Sequence, residues 1–128
     1  MEENEIFSAI GEEGFSRLAA AFYRQIPTDD LLGPMYPAHD LKGAEERLRD
    51  FLVFRFGGSM RYIEQRGHPR LRMRHAPFPI AGPQRDRWVQ LMTRALDEAA
   101  VPDGPRALLL SFFENTATFL INSGPGGI

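Results

Sequence analysis

The chain has 128 residues, a formal net charge of −2, 43% hydrophobic and 25% charged residues, the size and composition of a single globular domain spanning 1–128. It has no cysteine, which excludes disulfides, thiolate catalysis, zinc–cysteine sites and any group attached through thioether bonds. The absence of a basic block argues against nucleic acid, and the acidic N-terminus and lack of a long apolar run predict a cytoplasmic protein without membrane contact.

Two helices are predicted in the first part of the chain. Ile6, Phe7 and Ile10 indicate a short helix that Gly11 ends. A longer helix follows, because apolar residues recur three and four positions apart until Pro27 stops the pattern. The apolar face of this helix consists of Phe15, Leu18, Ala19, Phe22 and Ile26.

A third helix is predicted from Asp40, which can cap its first turn, to Gly57-Gly58, which end it. One face of this helix carries Leu41, Ala44, Leu48, Phe51 and Leu52. The segment from Phe56 to Pro83 is rich in Gly, Pro and Arg and has only one short helical candidate. A long, mostly irregular segment in a compact domain is usually functional.

Two further long helices complete the predicted fold. Pro83 opens the fourth, and Asp103, followed by Pro105, starts the fifth. The apolar face of the fourth carries Trp88, Leu91, Met92, Ala95, Leu96 and Ala99, and that of the fifth Leu108, Leu109, Phe112, Thr116, Phe119 and Leu120. No stretch shows sustained strand alternation, so an all-α fold is expected, with a flexible tail from about residue 123.

The irregular segment contains the short sequence Arg-Met-Arg-His-Ala-Pro-Phe, residues 72–78. Pro69 can open a short helix here at its first position, and Pro77 closes it. His75 would then project its imidazole in a fixed direction, with two arginines nearby. An iron porphyrin needs one nitrogen for the metal and cations for its two carboxylates. Since histidine has many roles, a hydrogen-bonded core or cap residue remains an alternative.

The order of the predicted elements resembles that of a globin, in a chain that is short for that fold. Glycines stand at Gly11 and Gly14 and again at Gly57-Gly58. The most specific pieces are Phe22-Tyr23, Pro34-Met-Tyr-Pro37, Gly57-Gly58, the stretch Gln65–His75 and Asp86-Arg-Trp88. With these pieces, the chain from about Ile6 to Asn122 resembles the truncated haemoglobins, and within them the second subgroup, the bacterial O-type, which is marked by a tryptophan early in the penultimate helix.

The resemblance implies a shortened globin fold, a two-over-two helical sandwich around a non-covalently bound haem b. It also implies that His75 is the proximal iron ligand, with its second ring nitrogen donating to a backbone carbonyl or water. His39 and His68 are the rival histidines. Both precede polar helix starts and are better explained as cap or surface residues.

On the opposite, distal side, the position that many globins fill with His or Gln corresponds to Ala44, which cannot donate a hydrogen bond. The resemblance implies that Tyr23, Tyr36 and Trp88 supply the donors instead, each from a large apolar body. Leu48, one turn beyond Ala44, would gate access. Ordinary core packing remains the alternative for the aromatic residues.

The remaining haem contacts are expected from two groups of residues. The porphyrin-contacting candidates are Phe22, Met35, Phe51, Leu71, Phe78, Ile80 and Met92, which could equally be ordinary core. The propionate candidates are Arg47, Tyr62, Arg72 and Arg74, with Arg74 and Tyr62 preferred. The alternative for these arginines is a solvated charged face.

The resemblance implies a b-type haem protein that binds O₂ and other small ligands, namely CO, NO or sulfide. Three donors would slow ligand escape, which favours storage, scavenging or sensing over simple oxygen transport. A redox enzyme, peroxidase-like or an NO dioxygenase, is the alternative, and it would need an external reductase. A small helical interaction module without haem is a third possibility. Both a monomer and a homo-oligomer agree with the sequence.

Overall fold

The computed structural model describes residues 1–123, which form six α-helices and no strand. The helices are α1 Ile6–Arg24, α2 Leu41–Arg55, α3 Arg61–Arg66, α4 Leu71–His75, α5 Gly82–Glu98 and α6 Asp103–Phe119. Short 3₁₀ turns precede α1 at Glu3–Glu5 and follow it at Gly33–Met35. Apart from Ser123, the predicted flexible tail lies outside the described residues. Among residues 1–123, no helix combines the length and apolar composition that crossing a membrane requires.

The two helices predicted at the start of the chain form one element with a kink. Gly11 has φ 65° and ψ 179° inside α1, a conformation that glycine adopts without steric cost. Gly14, one turn later, lies so close to Ile10 that an added Cβ would stand 2.7 Å from the Ile10 Cβ. The break predicted at Gly11 is therefore confirmed as a change of direction between two helical pieces.

The capping predicted for α2 is confirmed. The Asp40 carboxylate accepts a hydrogen bond from the Gly43 backbone N–H at 3.2 Å, which satisfies one of the free donors of the first turn. At the other end, Gly57 has φ 93°, and Gly58 donates to the Val53 carbonyl at 2.7 Å. The glycine pair thus ends α2, as expected.

The connection between α2 and α5 differs from the prediction. It contains two short helices instead of one, because α3 has only six residues and is too short to show a clear apolar period. The prediction that Pro69 occupies the first position of the helix containing His75 is wrong. Arg70, with φ 42°, precedes α4, which begins at Leu71. The end before Pro77 is confirmed, since His75 is the last helical residue.

A buried carboxylate fixes α3 to α2. Asp50 is 7% exposed and accepts hydrogen bonds from Arg61 Nε at 3.1 Å and Arg61 Nη2 at 2.9 Å. Arg61 also binds Glu12 on α1 at 2.7 Å. This ion-pair network holds the first turn of α3, and with it Tyr62, against the long helices.

The long helices pack as two pairs, α1 with α2 and α5 with α6, and α1 also packs on α5. This confirms the all-α fold and the two-over-two sandwich. Pro83 lies in the first turn of α5, and α6 begins at Asp103, both as predicted. The core side chains that are almost fully buried include Phe15, Leu18, Phe22, Leu52, Leu91, Met92, Leu96, Leu109 and Phe113. Each such side chain stabilises the fold by about 1.5–3 kcal/mol.

Candidate functional site

A cavity of about 350 Å³ opens between the two helix pairs and the α3–α4 segment. This volume lies within the range of roughly 300–1,000 Å³ that is typical of small-molecule sites. The cavity brings together nearly all residues predicted for the site. They are Phe22, Tyr23, Met35, Tyr36, Ala44, Arg47, Leu48, Phe51, Tyr62, Leu71, Arg74, His75, Phe78, Ile80 and Trp88.

Two residues predicted to contact the cofactor do not line this cavity. Arg72 is exposed and its guanidinium lies 5.0 Å from the centre of the Phe119 ring. It is two residues from Arg74, and helical neighbours two apart point roughly 200° away from each other. Met92 is fully buried in the core, because the apolar stripe of α5 continues beyond Trp88 into the interior.

The cavity has further walls that the sequence reasoning did not assign. These additional lining residues are Leu32, Pro37, Leu52, Arg66, Gln84, Arg85, Phe112, Phe113, Thr116, Ala117 and Leu120. Three of them, Phe112, Thr116 and Leu120, recur every four residues on the predicted apolar face of α6. That face was the sequence feature from which this part of the cavity wall could have been predicted. Arg66 lies at the end of α3, a helix that the sequence analysis did not predict.

His75 is the only histidine among the lining residues. It is half-buried at the end of α4, and its Nδ1 lies 2.7 Å from the Leu71 carbonyl oxygen. A carbonyl only accepts, so Nδ1 carries the proton in this hydrogen bond. In the neutral imidazole, this tautomer leaves a lone pair on Nε2 for a metal.

The surroundings of His75 fit a metal that brings most of its own ligands. Within residues 1–123, no group of three or more His, Cys, Asp or Glu side chains could hold a metal ion. His39 and His68 are exposed and stand outside the cavity wall. An iron porphyrin needs only one imidazole from the protein and apolar surfaces for its ring, and this cavity offers both.

Three polar aromatic side chains line the wall formed by α1, α5 and the loop after α1. Tyr23 lies on α1, Tyr36 follows the 3₁₀ turn Gly33–Met35, and Trp88 lies on α5. The rings of Tyr23 and Tyr36 are perpendicular with centroids 5.5 Å apart. Ala44 is buried beside them. Its methyl group offers no donor, unlike the three aromatic side chains.

The two tyrosines of this wall keep their protons. Burial raises the pKa of Tyr23 far above its ordinary value, and the nearby Tyr36 raises it further. Burial also raises the pKa of Tyr36 to about 12, although a hydrogen bond with Trp88 opposes this effect. Both hydroxyl groups are therefore neutral donors at physiological pH.

An ion pair ties the loop carrying Tyr36 to the helix carrying Trp88. The Asp29 carboxylate accepts a hydrogen bond from the Leu32 N–H at 2.7 Å and another from Arg87 Nη1 at 2.7 Å. Only 8% of the Asp29 side chain is exposed. Arg87 directly precedes Trp88, so this contact fixes the positions of Tyr36 and Trp88 relative to each other.

The Asp29 contact should make the stability of this wall sensitive to acid. Burial alone would raise the pKa of Asp29, but the Leu32 N–H and the Arg87 guanidinium outweigh it and hold the pKa below its ordinary 3.8. A carboxylate with a lowered folded-state pKa stabilises the fold above 3.8, and this contribution disappears as the pH falls through the folded-state value. Asp29→Asn should therefore lower the melting temperature at pH 7 by about 5 °C and weaken its dependence on pH below 4.

Asp30→Asn is the matched control for this prediction. Asp30 also binds Arg87, at 3.0 Å, but its side chain is 90% exposed. An exposed ion pair contributes little to stability, so this variant should melt like the parent protein. The melting temperatures of both variants are measured by circular dichroism at several values between pH 7 and pH 3. Equal changes in melting temperature in the two variants would assign no special role to Asp29.

A two-over-two helical sandwich that encloses an apolar cavity, with one histidine on a short helix, defines a shortened globin. The family model of the bacterial-like globins matches residues 5–122. The group 2 truncated haemoglobin of Bacillus subtilis strain 168 is 37% identical over 119 residues, which cover 93% of this chain and 89% of that protein. The chain belongs to the bacterial-like globins and, within them, to the group II truncated haemoglobins.

Solved structures agree with this assignment. A thermostable haemoglobin from the actinobacterium Thermobifida fusca is 46% identical, with a TM-score of 0.87 over 91% of this chain and 96% of that one. A truncated oxygen-avid haemoglobin from Bacillus subtilis is 37% identical, with a TM-score of 0.87 over 91% of this chain and 98% of that one. Membership of the family supports haem-based oxygen binding as the general activity.

Proposed function

We propose that this protein is a b-type haem protein that binds O₂ and other diatomic ligands at a distal site formed by Tyr23, Tyr36 and Trp88. The observation that carries the proposal is the shared cavity. It contains one imidazole whose Nδ1 is held by a carbonyl and, on a separate wall, three neutral donors. The haem would be held without covalent attachment, since the chain has no cysteine.

Each of the three donors acts through a hydrogen bond in an apolar surrounding. A haem bound in this cavity would supply an iron site that binds O₂ and polarises it. The indole N–H of Trp88 and the hydroxyls of Tyr23 and Tyr36 donate toward such a ligand. In a cavity of low dielectric constant these bonds are stronger than in water. These donors would therefore stabilise O₂, which gains negative charge at an iron, more than they stabilise CO.

The propionates would be held at the mouth of the cavity by cationic and phenolic groups. Tyr62 is buried, and Arg47 lies on α2, where it also binds Asp40 at 3.3 Å. Arg74 lines the cavity, but its Nε and Nη2 donate to backbone carbonyls, so Nη1 is the atom it would offer to a propionate. Arg66 is exposed at the cavity rim and is a further candidate.

The proposed role is oxygen storage, scavenging or sensing. Three donors around one ligand slow its release, and slow release is unsuited to simple transport. The oxygen-avid relative from Bacillus subtilis, with the same fold, supports this reading. NO, CO and sulfide are the other ligands expected at the same iron.

The closeness of oxidisable aromatic rings also favours a redox role. The rings of Tyr23 and Tyr36 are in edge contact. The Phe22 ring contacts both tyrosines, and its centroid lies 5.5 Å from that of Trp88. Such residues suit peroxide or NO chemistry with electrons from a separate reductase. The alanine at position 44 provides no acid–base group, which makes a peroxidase of the usual kind the weaker candidate.

A visible absorption spectrum of the purified protein tests the proposal. We expect an intense Soret band in the protein as isolated, and a sharp shift of that band after reduction and addition of CO. A protein that shows no haem band after expression with added haem precursor, and none after mixing with free haem, would instead be a helical interaction module.

A further inference from the structure

The helix that carries His75 packs only weakly against the long helices. α4 has only five residues and none of them is buried. Helices of this length are unstable by themselves in water. Polar contacts at the two ends of α4 should therefore contribute strongly to the position of the histidine.

At the N-terminal side, Arg74 ties α4 to the preceding loop. Its Nε donates to the Pro69 carbonyl at 2.6 Å, and its Nη2 donates to the carbonyls of Arg66 and His68 at 2.7 and 3.1 Å. These contacts link α4 to another short, exposed segment. They do not anchor it to a long helix.

At the C-terminal side, Asn122 provides that anchor from just beyond α6. Its Nδ2 donates to the carbonyls of His75 and Phe78 at 3.2 and 2.9 Å, and its Oδ1 accepts from the Ile80 N–H at 2.9 Å. The backbone N–H groups of Asn122 and Ser123 both donate to the Ile80 carbonyl. One side-chain amide thus holds three backbone groups of the segment that follows His75.

We propose that Asn122 is a positioning residue for the iron ligand. The hydrogen bond to Leu71 fixes the rotation of the imidazole, while Asn122 fixes the main chain from which the imidazole projects. Only a side chain with both an N–H donor and an oxygen acceptor at this distance can make all three contacts. We call these three hydrogen bonds the Asn122 clamp. The inference rests on the proposed haem-binding function, because the clamp acts on the iron through the direction of the His75 Nε2.

The test compares Asn122→Asp with Asn122→Ala. The aspartate keeps an acceptor for the Ile80 N–H but removes the donor, and it places a carboxylate against two carbonyl oxygens. The alanine removes all three contacts. Asn115→Asp is the control, because it makes the same chemical change at an exposed position of α6.

Two measurements on the haem-loaded protein report the position of the ligand. In resonance Raman spectra of the ferrous protein, both Asn122 variants should shift or broaden the iron–histidine stretching band. Transfer of haem to apomyoglobin should become about tenfold faster, as expected when one net hydrogen bond is lost. Asn115→Asp should match the parent protein in both respects.

A third measurement does not depend on haem. Amide hydrogen exchange at Ile80 in the purified protein should accelerate in Asn122→Ala and remain slow in Asn122→Asp. An unchanged iron–histidine band in both variants would overturn the positioning role, even if haem transfer and the melting temperature changed. If the parent protein had no such band, the proposed function would fail, and Ile80 exchange alone would then uphold or refute the clamp.

Discussion

The variant His75→Gly is expected to lose its haem during purification and to recover haem binding in millimolar imidazole. His75 is the one histidine that lines the cavity, and its Nδ1 is held by the Leu71 carbonyl. Without it, the porphyrin keeps only its apolar and propionate contacts. Free imidazole can enter the space left by the side chain and restore one nitrogen ligand. The Soret absorbance relative to protein, measured with and without imidazole, gives the result.

The design separates loss of the ligand from loss of the fold. Glycine in a helix costs about 1 kcal/mol, and His75 ends a helix of only five residues. If α4 merely unfolded, imidazole would not restore the spectrum. His68→Gly serves as the control, because His68 is exposed and outside the cavity wall and should retain full haem content. A normal spectrum in His75→Gly would show that another group binds the iron.

The long helices were predictable because their apolar residues recur with a clear helical period. Helix boundaries and kinks were predictable where one residue has a strong local preference, such as Gly11 at the kink of α1, Asp40 as the cap of α2 and Pro77 as the stop after α4. The α3–α4 segment was harder. Its helices are too short to show a period, and the left-handed Arg70 has no sequence signal, since arginine rarely adopts that conformation.

The site was predicted mainly through the family resemblance, and the structure refines it through long-range geometry. The sequence analysis already preferred Arg74 to Arg72, and of the two only Arg74 lines the cavity. Asn122 and Asp29 act over 47 and 58 positions in sequence, on His75 and Arg87 respectively. Such polar contacts between loops and helix ends follow no periodic pattern, so only the folded chain shows them.

The variant Trp88→Phe should release O₂ about tenfold faster than the parent protein. Phenylalanine preserves most of the ring packing of Trp88 against Phe22 and Phe113, whose centroids lie 5.5 and 5.6 Å away, but it removes the indole N–H. Ala44 cannot replace this donor. The loss of one hydrogen bond of about 1.5 kcal/mol corresponds to a tenfold change in rate. Stopped-flow measurement of O₂ release from the reduced protein determines the factor.

CO release distinguishes the two ways in which Trp88 could act. CO is less polar than O₂ when bound, so removal of a donor should accelerate its release much less. Equal acceleration of both gases would identify Trp88 as a steric barrier, and no acceleration of either would make it a packing residue. The Tyr36→Phe variant and the double variant complete the comparison. Because Tyr36 and Trp88 line the same wall and burial keeps the Tyr36 hydroxyl protonated, the two single effects should not add if the donors hold the ligand as one unit.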